Sequence, residues 1–141
     1  MIFITGGAGQ GMQQFAMQQF GEQITGDVVD GRVASWEEFK KAKYSIHLEM
    51  MIRRRLSEKE KEELKGQNGA ESLENEMAEE LFHACPQRIV ITQEIGCGIV
   101  PVDAFERKYR ELTGRICCQL AAASQEVWRV TAGIGQRIKQ C

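Results

Sequence analysis

The sequence contains no apolar run near the roughly 18 residues that a membrane-spanning helix needs. That absence argues against a membrane protein. It also lacks a surplus of basic charge: 18 lysines and arginines stand against 20 acidic residues, for a net charge of -2. With no global positive field, neither nucleic acid nor an anionic membrane surface is an expected partner. Five cysteines occur, at positions 85, 97, 117, 118 and 141, but none is spaced as a CxxC pair. The odd number and the missing secretory pattern argue against a disulfide framework, so the thiols read as small packed hydrophobes. The two histidines, His47 and His83, are not spaced as metal ligands with them, and no structural metal site is expected. Met1-Ile2-Phe3-Ile4 is too short for a signal-peptide core and runs at once into glycines, which points to a cytoplasmic location.

What is present is ordinary for a globular chain: 141 residues, 43% hydrophobic and 27% charged. That length suits one domain over residues 1–141. Four apolar or β-branched runs read as strands, at Ile2–Thr5, Asp27–Asp30, Arg88–Thr92 and Val127–Thr131. Helical patterns alternate with them. Met12, Phe15, Ala16 and Phe20 repeat at three- and four-residue steps, as do Leu73, Met77 and Leu81. Ser35-Trp36-Glu37-Glu38 and Ser57-Glu58-Lys59-Glu60 both have the form of a capping box. Asp103 and Glu106 open the longest expected helix, with Phe105, Tyr109, Leu112, Ile116 and Leu120 on its buried face. Arg53-Arg54-Arg55 reads as a solvated helix end, with a basic phosphate-binding patch as the alternative, and residues 66–71 as an exposed flexible loop. The alternation predicts an α/β fold with a mainly parallel sheet flanked by helices.

The densest signal lies at the start. Gly6, Gly7, Ala8, Gly9, Gln10, Gly11, Met12 and Gln13 follow a strand and lead into a helix. In that context the glycines clear the approach path, and backbone N–H groups with the helix N-terminus face an anion. Gly6 and Gly11 have the spacing of the G-x-x-x-x-G-K-[ST] phosphate loop. Met12, however, stands where the lysine belongs, and Gln13 where the hydroxyl belongs. Those two groups neutralise the β- and γ-phosphates and ligate Mg²⁺. The backbone cradle needs neither, so anion binding can outlast phosphoryl transfer.

Further along, Ile91-Thr92-Gln93-Glu94-Ile95-Gly96-Cys97-Gly98-Ile99-Val100-Pro101 resembles the VTNEVGxGIVP segment of the bifunctional adenosylcobinamide kinase/adenosylcobinamide-phosphate guanylyltransferase family of cobalamin biosynthesis. Tyr109-Arg110-Glu111-Leu112, Gly114-Arg115-Ile116, Leu120 to Ala123, Glu126-Val127-Trp128 and Gly133-Ile134-Gly135 continue the likeness in register. The resemblance implies a P-loop NTPase-like (RecA-like) fold and GTP or ATP with Mg²⁺ as ligands. It also implies a phosphate-bearing partner or corrinoid intermediate, and a homo-oligomer.

The departures fall on the chemistry. Besides Met12 and Gln13, the family's second strand and its histidine-bearing segment have no counterpart, and His47 lacks that segment's flanking arginine and proline. His47 therefore reads as a partly buried helical residue rather than the nucleophile. Gln93 replaces an asparagine, and Cys117-Cys118 replaces an Asn-Gln pair. Two acids remain in positions suited to orienting Mg²⁺ or substrate, Asp30 and Glu94, with a loop-capping carboxylate as the alternative for each, more so for Asp30. If phosphoryl transfer persists, a cation from Arg32, Arg53 or Lys139 must reach the phosphates in place of the lysine. The expectation is a related protein with a weak nucleotide or phosphate site and impaired catalysis. The alternative is an active kinase/guanylyltransferase using rearranged residues.

Overall fold

In a computed structural model describing residues 1–66 and 72–141, Ile2–Gly6 forms β1, and Phe3 and Ile4 point to opposite faces of one sheet. Such a strand, covered on both sides, reads as a continuous apolar run rather than an alternation. The remaining elements are α1 (Met12–Phe20), β2 (Val29–Asp30), α2 (Trp36–Lys41), β3 (Tyr44–Ile46), α3 (Leu48–Leu64), α4 (Leu73–Ala84), β4 (Ile89–Gln93), α5 (Ala104–Ala123), β5 (Glu126–Thr131) and β6 (Ile134–Gln140). The six strands lie in the order β2-β3-β4-β1-β5-β6. All neighbours are parallel except β6, which returns antiparallel to β5 as a hairpin. This is the α/β architecture expected from the sequence.

Two apolar layers sandwich the sheet. Phe15, Ala16 and Phe20 of α1 pack on Ile4, Ile89, Ile91 and Val130, with Trp128 meeting Phe15 and Phe20. On the opposite face, α3, α4 and α5 bury Leu48, Met51, Ile52, Met77, Leu81, Ile116 and Leu120 against Phe3, Val90 and Val127. Arg88, just before β4, is wholly buried in that layer. Its guanidinium donates to the carbonyls of Phe39 (2.6 Å), Ala42 (2.7 Å) and Leu81 (3.3 Å), tying α2 and α4 to the sheet. Burial pulls its pKa down to about 10, which leaves it charged at neutral pH.

Several local expectations hold. Ser35 and Glu38 make a reciprocal capping box at α2, and the Asp103 side chain accepts from the Glu106 N–H at α5. Others are corrected. Ser57 starts no helix; it lies inside α3, whose apolar stripe of Leu48, Met51, Ile52 and Leu56 carries the helix through it. Arg53, Arg54 and Arg55 belong to the same helix rather than to a solvated end. Arg53 pairs with Glu106, Arg54 donates to the carbonyls of Gly31 and Ala34, and Arg55 pairs with Glu76. Of the expected strand at 27–30 only Val29–Asp30 pairs. The loop expected at 66–71 falls outside the described residues from 67 to 71. Among the described residues, no helix is long and apolar enough to cross a membrane.

Arg88→Met fills most of the same volume but removes the guanidinium donors from the buried Ala42 and Leu81 carbonyls and from that of Phe39, which keeps the Ala42 N–H. It should lower unfolding free energy by about 2–4 kcal/mol in urea titrations, since each unpartnered buried group costs roughly 1–3 kcal/mol with incomplete additivity.

Candidate phosphate-binding site

The glycine-rich loop leaves the C-terminal end of β1 and enters α1 through two residues in the left-handed region, Gly9 (φ 68°) and Gly11 (φ 81°). Gly11 is the N-cap of α1 and offers no side chain to the first-turn N–H groups. Those donors are thereby open to an external acceptor. Gln10 anchors the loop from its far side. Its backbone carbonyl accepts from the Gly133 N–H (2.7 Å), and its side-chain Oε1 accepts from the Ala132 N–H (2.7 Å). Ala132 (φ 51°) and Gly133 (φ 77°) form the tip of the β5–β6 hairpin, with the two positive φ values that a tight hairpin turn requires. This brace is not legible locally, because its two ends lie 122 residues apart.

A crevice of about 180 Å³ opens beside the loop. Gly9 to Gln14 form one wall, and Ile46, His47, Ile91 and Gln93 the other. It sits at the C-terminal ends of the parallel strands, where ligands bind in open α/β sheets. Its volume is below the roughly 300–1,000 Å³ of pockets that enclose a drug-sized ligand. Of the eight loop residues read as phosphate-binding, Gly9, Gln10, Gly11, Met12 and Gln13 line the crevice. Gly6, Gly7 and Ala8 do not. Gly6 ends β1, and its carbonyl accepts from the Glu94 N–H at 2.8 Å.

His47 is where the sequence reading needs most correction. It is not a helical residue: it stands alone between β3 and α3 in the left-handed region (φ 56°, ψ 48°). That conformation is uncommon for a side chain with a Cβ. Gly31 permits it, because a Cβ there would lie 2.2 Å from the His47 carbonyl oxygen. The turn directs the imidazole into the crevice wall, with its side chain 24% exposed. Glu49, two residues on, is only 3% exposed. One of its carboxylate oxygens lies 3.0 Å from His47 Nδ1. The other accepts from the Gln93 N–H (2.9 Å) and from Thr92 Oγ1 (3.4 Å). Tyr109 Oη, in turn, donates to the Glu49 carbonyl (2.8 Å). Sequence reasoning missed Glu49, since an acid in the first turn of a charged helix is usual. The nearest available signal was its place beside a histidine at the end of a β-branched run.

Asp30 and Glu94 do not line the crevice. Asp30 ends β2, three strand spacings or about 14 Å from β1. Arg32 clamps it, with Nη2 at 2.6 Å from Oδ2, and this hydrogen bonding holds the carboxyl below its usual range. Glu94 follows β4 and is gripped by Arg129, with Nε and Nη2 at 2.9 and 3.0 Å from its two oxygens. The three cations considered as substitutes for the lysine are also engaged. Arg32 holds Asp30, and Arg53 pairs with Glu106 while stacking over Phe105 and Tyr109. Lys139 Nζ donates to the Ala121 and Ala122 carbonyls at the end of α5. No group of three or more His, Cys, Asp or Glu residues suited to a metal occurs among the described residues. The side chains around the crevice therefore do not fit an Mg²⁺ ion held by protein carboxylates.

A glycine-rich loop between a central parallel strand and its helix, with a crevice at the strand ends, defines a P-loop NTPase-like α/β protein. The family model for cobinamide kinase / cobinamide phosphate guanyltransferase (CobU) matches residues 32–138, and the chain belongs to that family. Two relatives are both described as bifunctional adenosylcobalamin biosynthesis protein CobU. The protein of Escherichia coli (strain K12) is 50% identical over 56 residues, which cover 39% of this chain and 31% of that protein. The protein of Salmonella typhimurium (strain LT2) is 48% identical over 56 residues, with the same coverage. The matched stretch thus spans less than a third of either relative's length.

Cys117 and Cys118, in place of the Asn-Gln pair of the resembling family, face different surroundings. Cys118 is exposed. Cys117 turns toward Thr92, and burial, reinforced by its neighbour Cys118, pushes its thiol up to about 12. The thiolate is the reactive species. Iodoacetamide at pH 8 should label the exposed Cys97, Cys118 and Cys141 and spare Cys117 in the folded protein. Fragment mass spectra that place the label on Cys117 as fast as on Cys118 would contradict the packing described.

Proposed function

We propose that this chain binds a nucleotide or other phosphate-bearing small molecule weakly at the glycine-loop crevice, with phosphoryl and GMP transfer impaired. One observation carries the reading: His47 is the sole ionisable residue among those lining the crevice, and neither lysine nor arginine is present. The N–H groups of Gly9 to Gln13 and the α1 N-terminus remain to hold an anion. A transition state gathering charge on its equatorial oxygens would find no lysine or arginine, and losing one such donor typically costs about 10²–10³ in rate. GTP or ATP would bring Mg²⁺ on its phosphates, where Gln13 could meet it only through a side-chain carbonyl. A corrinoid intermediate and a second copy of the chain are further partners in this proposal.

A second reading, an active adenosylcobinamide kinase/guanylyltransferase with rearranged residues, is favoured by the His47–Glu49 pair beside the loop. The candidate cations count against it, because each would have to abandon an existing partner to reach the phosphates.

Calorimetric titration with GTP and with ATP, each with Mg²⁺, distinguishes the two. The unmodified chain should bind in the high-micromolar range or weaker, without turnover of adenosylcobinamide. Met12→Lys with Gln13→Ser should tighten binding about 10- to 100-fold, the weight of one charge-assisted hydrogen bond. Robust turnover by the unmodified chain would overturn the first reading and establish the second.

A further inference from the structure

The crevice has one polar wall that the phosphate-loop pattern does not account for. His47 is held at Nδ1 by Glu49, and among the described residues Nε2 has no hydrogen-bond partner. Glu49 is itself fixed by the Gln93 N–H and Thr92 Oγ1, so the imidazole is oriented by a buried carboxylate and the end of β4. The backbone at His47 is left-handed, a conformation that costs energy for a residue with a side chain and that clusters at functional sites. Across the crevice lie the glycine loop and the open N-terminus of α1.

We propose that the His47–Glu49 pair is the charge-bearing half of the phosphate site, with His47 Nε2 donating to an oxygen of a phosphoryl or sulfate group seated on the glycine loop. This rests on the crevice being an anion site, as proposed above, and adds which side chain supplies the cation that Met12 does not. A histidine in this role makes the site dependent on pH, because imidazole as a class gains and loses its proton within the physiological range. Protonated, it presents a cationic N–H to the anion. With Nδ1 committed to Glu49, a neutral ring carries no proton on Nε2, so the contact with the anion is lost. The charged groups facing the ring are Glu49 from α3 and Asp30 from the end of β2, the latter neutralised by Arg32. The glycine loop and β4 contribute no ionisable group to the crevice. Cys117, behind Thr92, stays protonated throughout this range.

Sulfate is the appropriate probe, because its own charge is constant across the range. Titrations between pH 5.5 and 8 should show sulfate affinity falling about tenfold with rising pH in the unmodified protein. His47→Asn retains a side chain that tolerates the left-handed region but cannot ionise, and its sulfate affinity should be weaker and flat with pH. In the unmodified protein the His47 ring resonances should move on adding sulfate. Those of His83, on α4 away from the crevice, serve as the internal control. Sulfate binding that is independent of pH and unchanged by His47→Asn overturns this assignment while leaving the anion site standing. Absence of sulfate binding at every pH overturns both.

Discussion

The Glu49 carboxylate is the contact on which the site's geometry depends. A buried carboxylate is costly unless its oxygens are satisfied, and here three groups converge on it, one from the β3–α3 link and two from β4. Through them the start of α3 is locked to the end of β4, and the one-residue link between β3 and α3 is held in its unusual conformation. That lock gives His47 Nδ1 a fixed partner in the wall opposite the glycine loop. The loop has a matching brace in Gln10, which holds it to the hairpin tip at Ala132 and Gly133. Two side chains remote from each other in sequence thus fix the two walls of one small crevice.

The crevice combines the backbone geometry of a phosphate loop with a lining that holds no lysine or arginine. The backbone features of a phosphate loop persist: left-handed glycines, an uncapped helix start and a position at the strand ends. The side chains that neutralise phosphate charge do not. Nearby arginines are paired outside the crevice, with Arg129 on Glu94, Arg32 on Asp30 and Arg53 on Glu106. Each such pair is partly solvated and contributes modestly to stability, yet together they leave the crevice without a mobile cation.

The parts of the fold legible in the sequence were those with long or strongly patterned signals. The β1-loop-α1 unit, the Ser35 capping box and the Asp103 helix start all follow from local chemistry. β3 was missed because three residues, Tyr44 to Ile46, carry no readable alternation; their strand character comes from burial between β2 and β4. β6 was missed because its side chains are largely exposed and polar, and only the Ala132-Gly133 turn pairs it with β5. The second capping box failed for the opposite reason. Ser57 had a local signal, but the packing of Leu48, Met51, Ile52 and Leu56 carried the helix past it. At the site, Met12 and Gln13 were legible from spacing alone. Glu49 and the placement of His47 were not, since both depend on a left-handed residue and on contacts more than 40 residues away in sequence.

The central claim is that the surviving backbone cradle still holds an anion. The most direct measurement follows the backbone amide resonances of the chain, isotope-labelled, as inorganic triphosphate is added. The amides of Gly9 to Gln13 should shift first and most, with a saturable dependence on concentration. If those amides stay unmoved while shifts gather elsewhere, for example along Gly96 to Pro101, the glycine loop serves packing alone and the account is wrong.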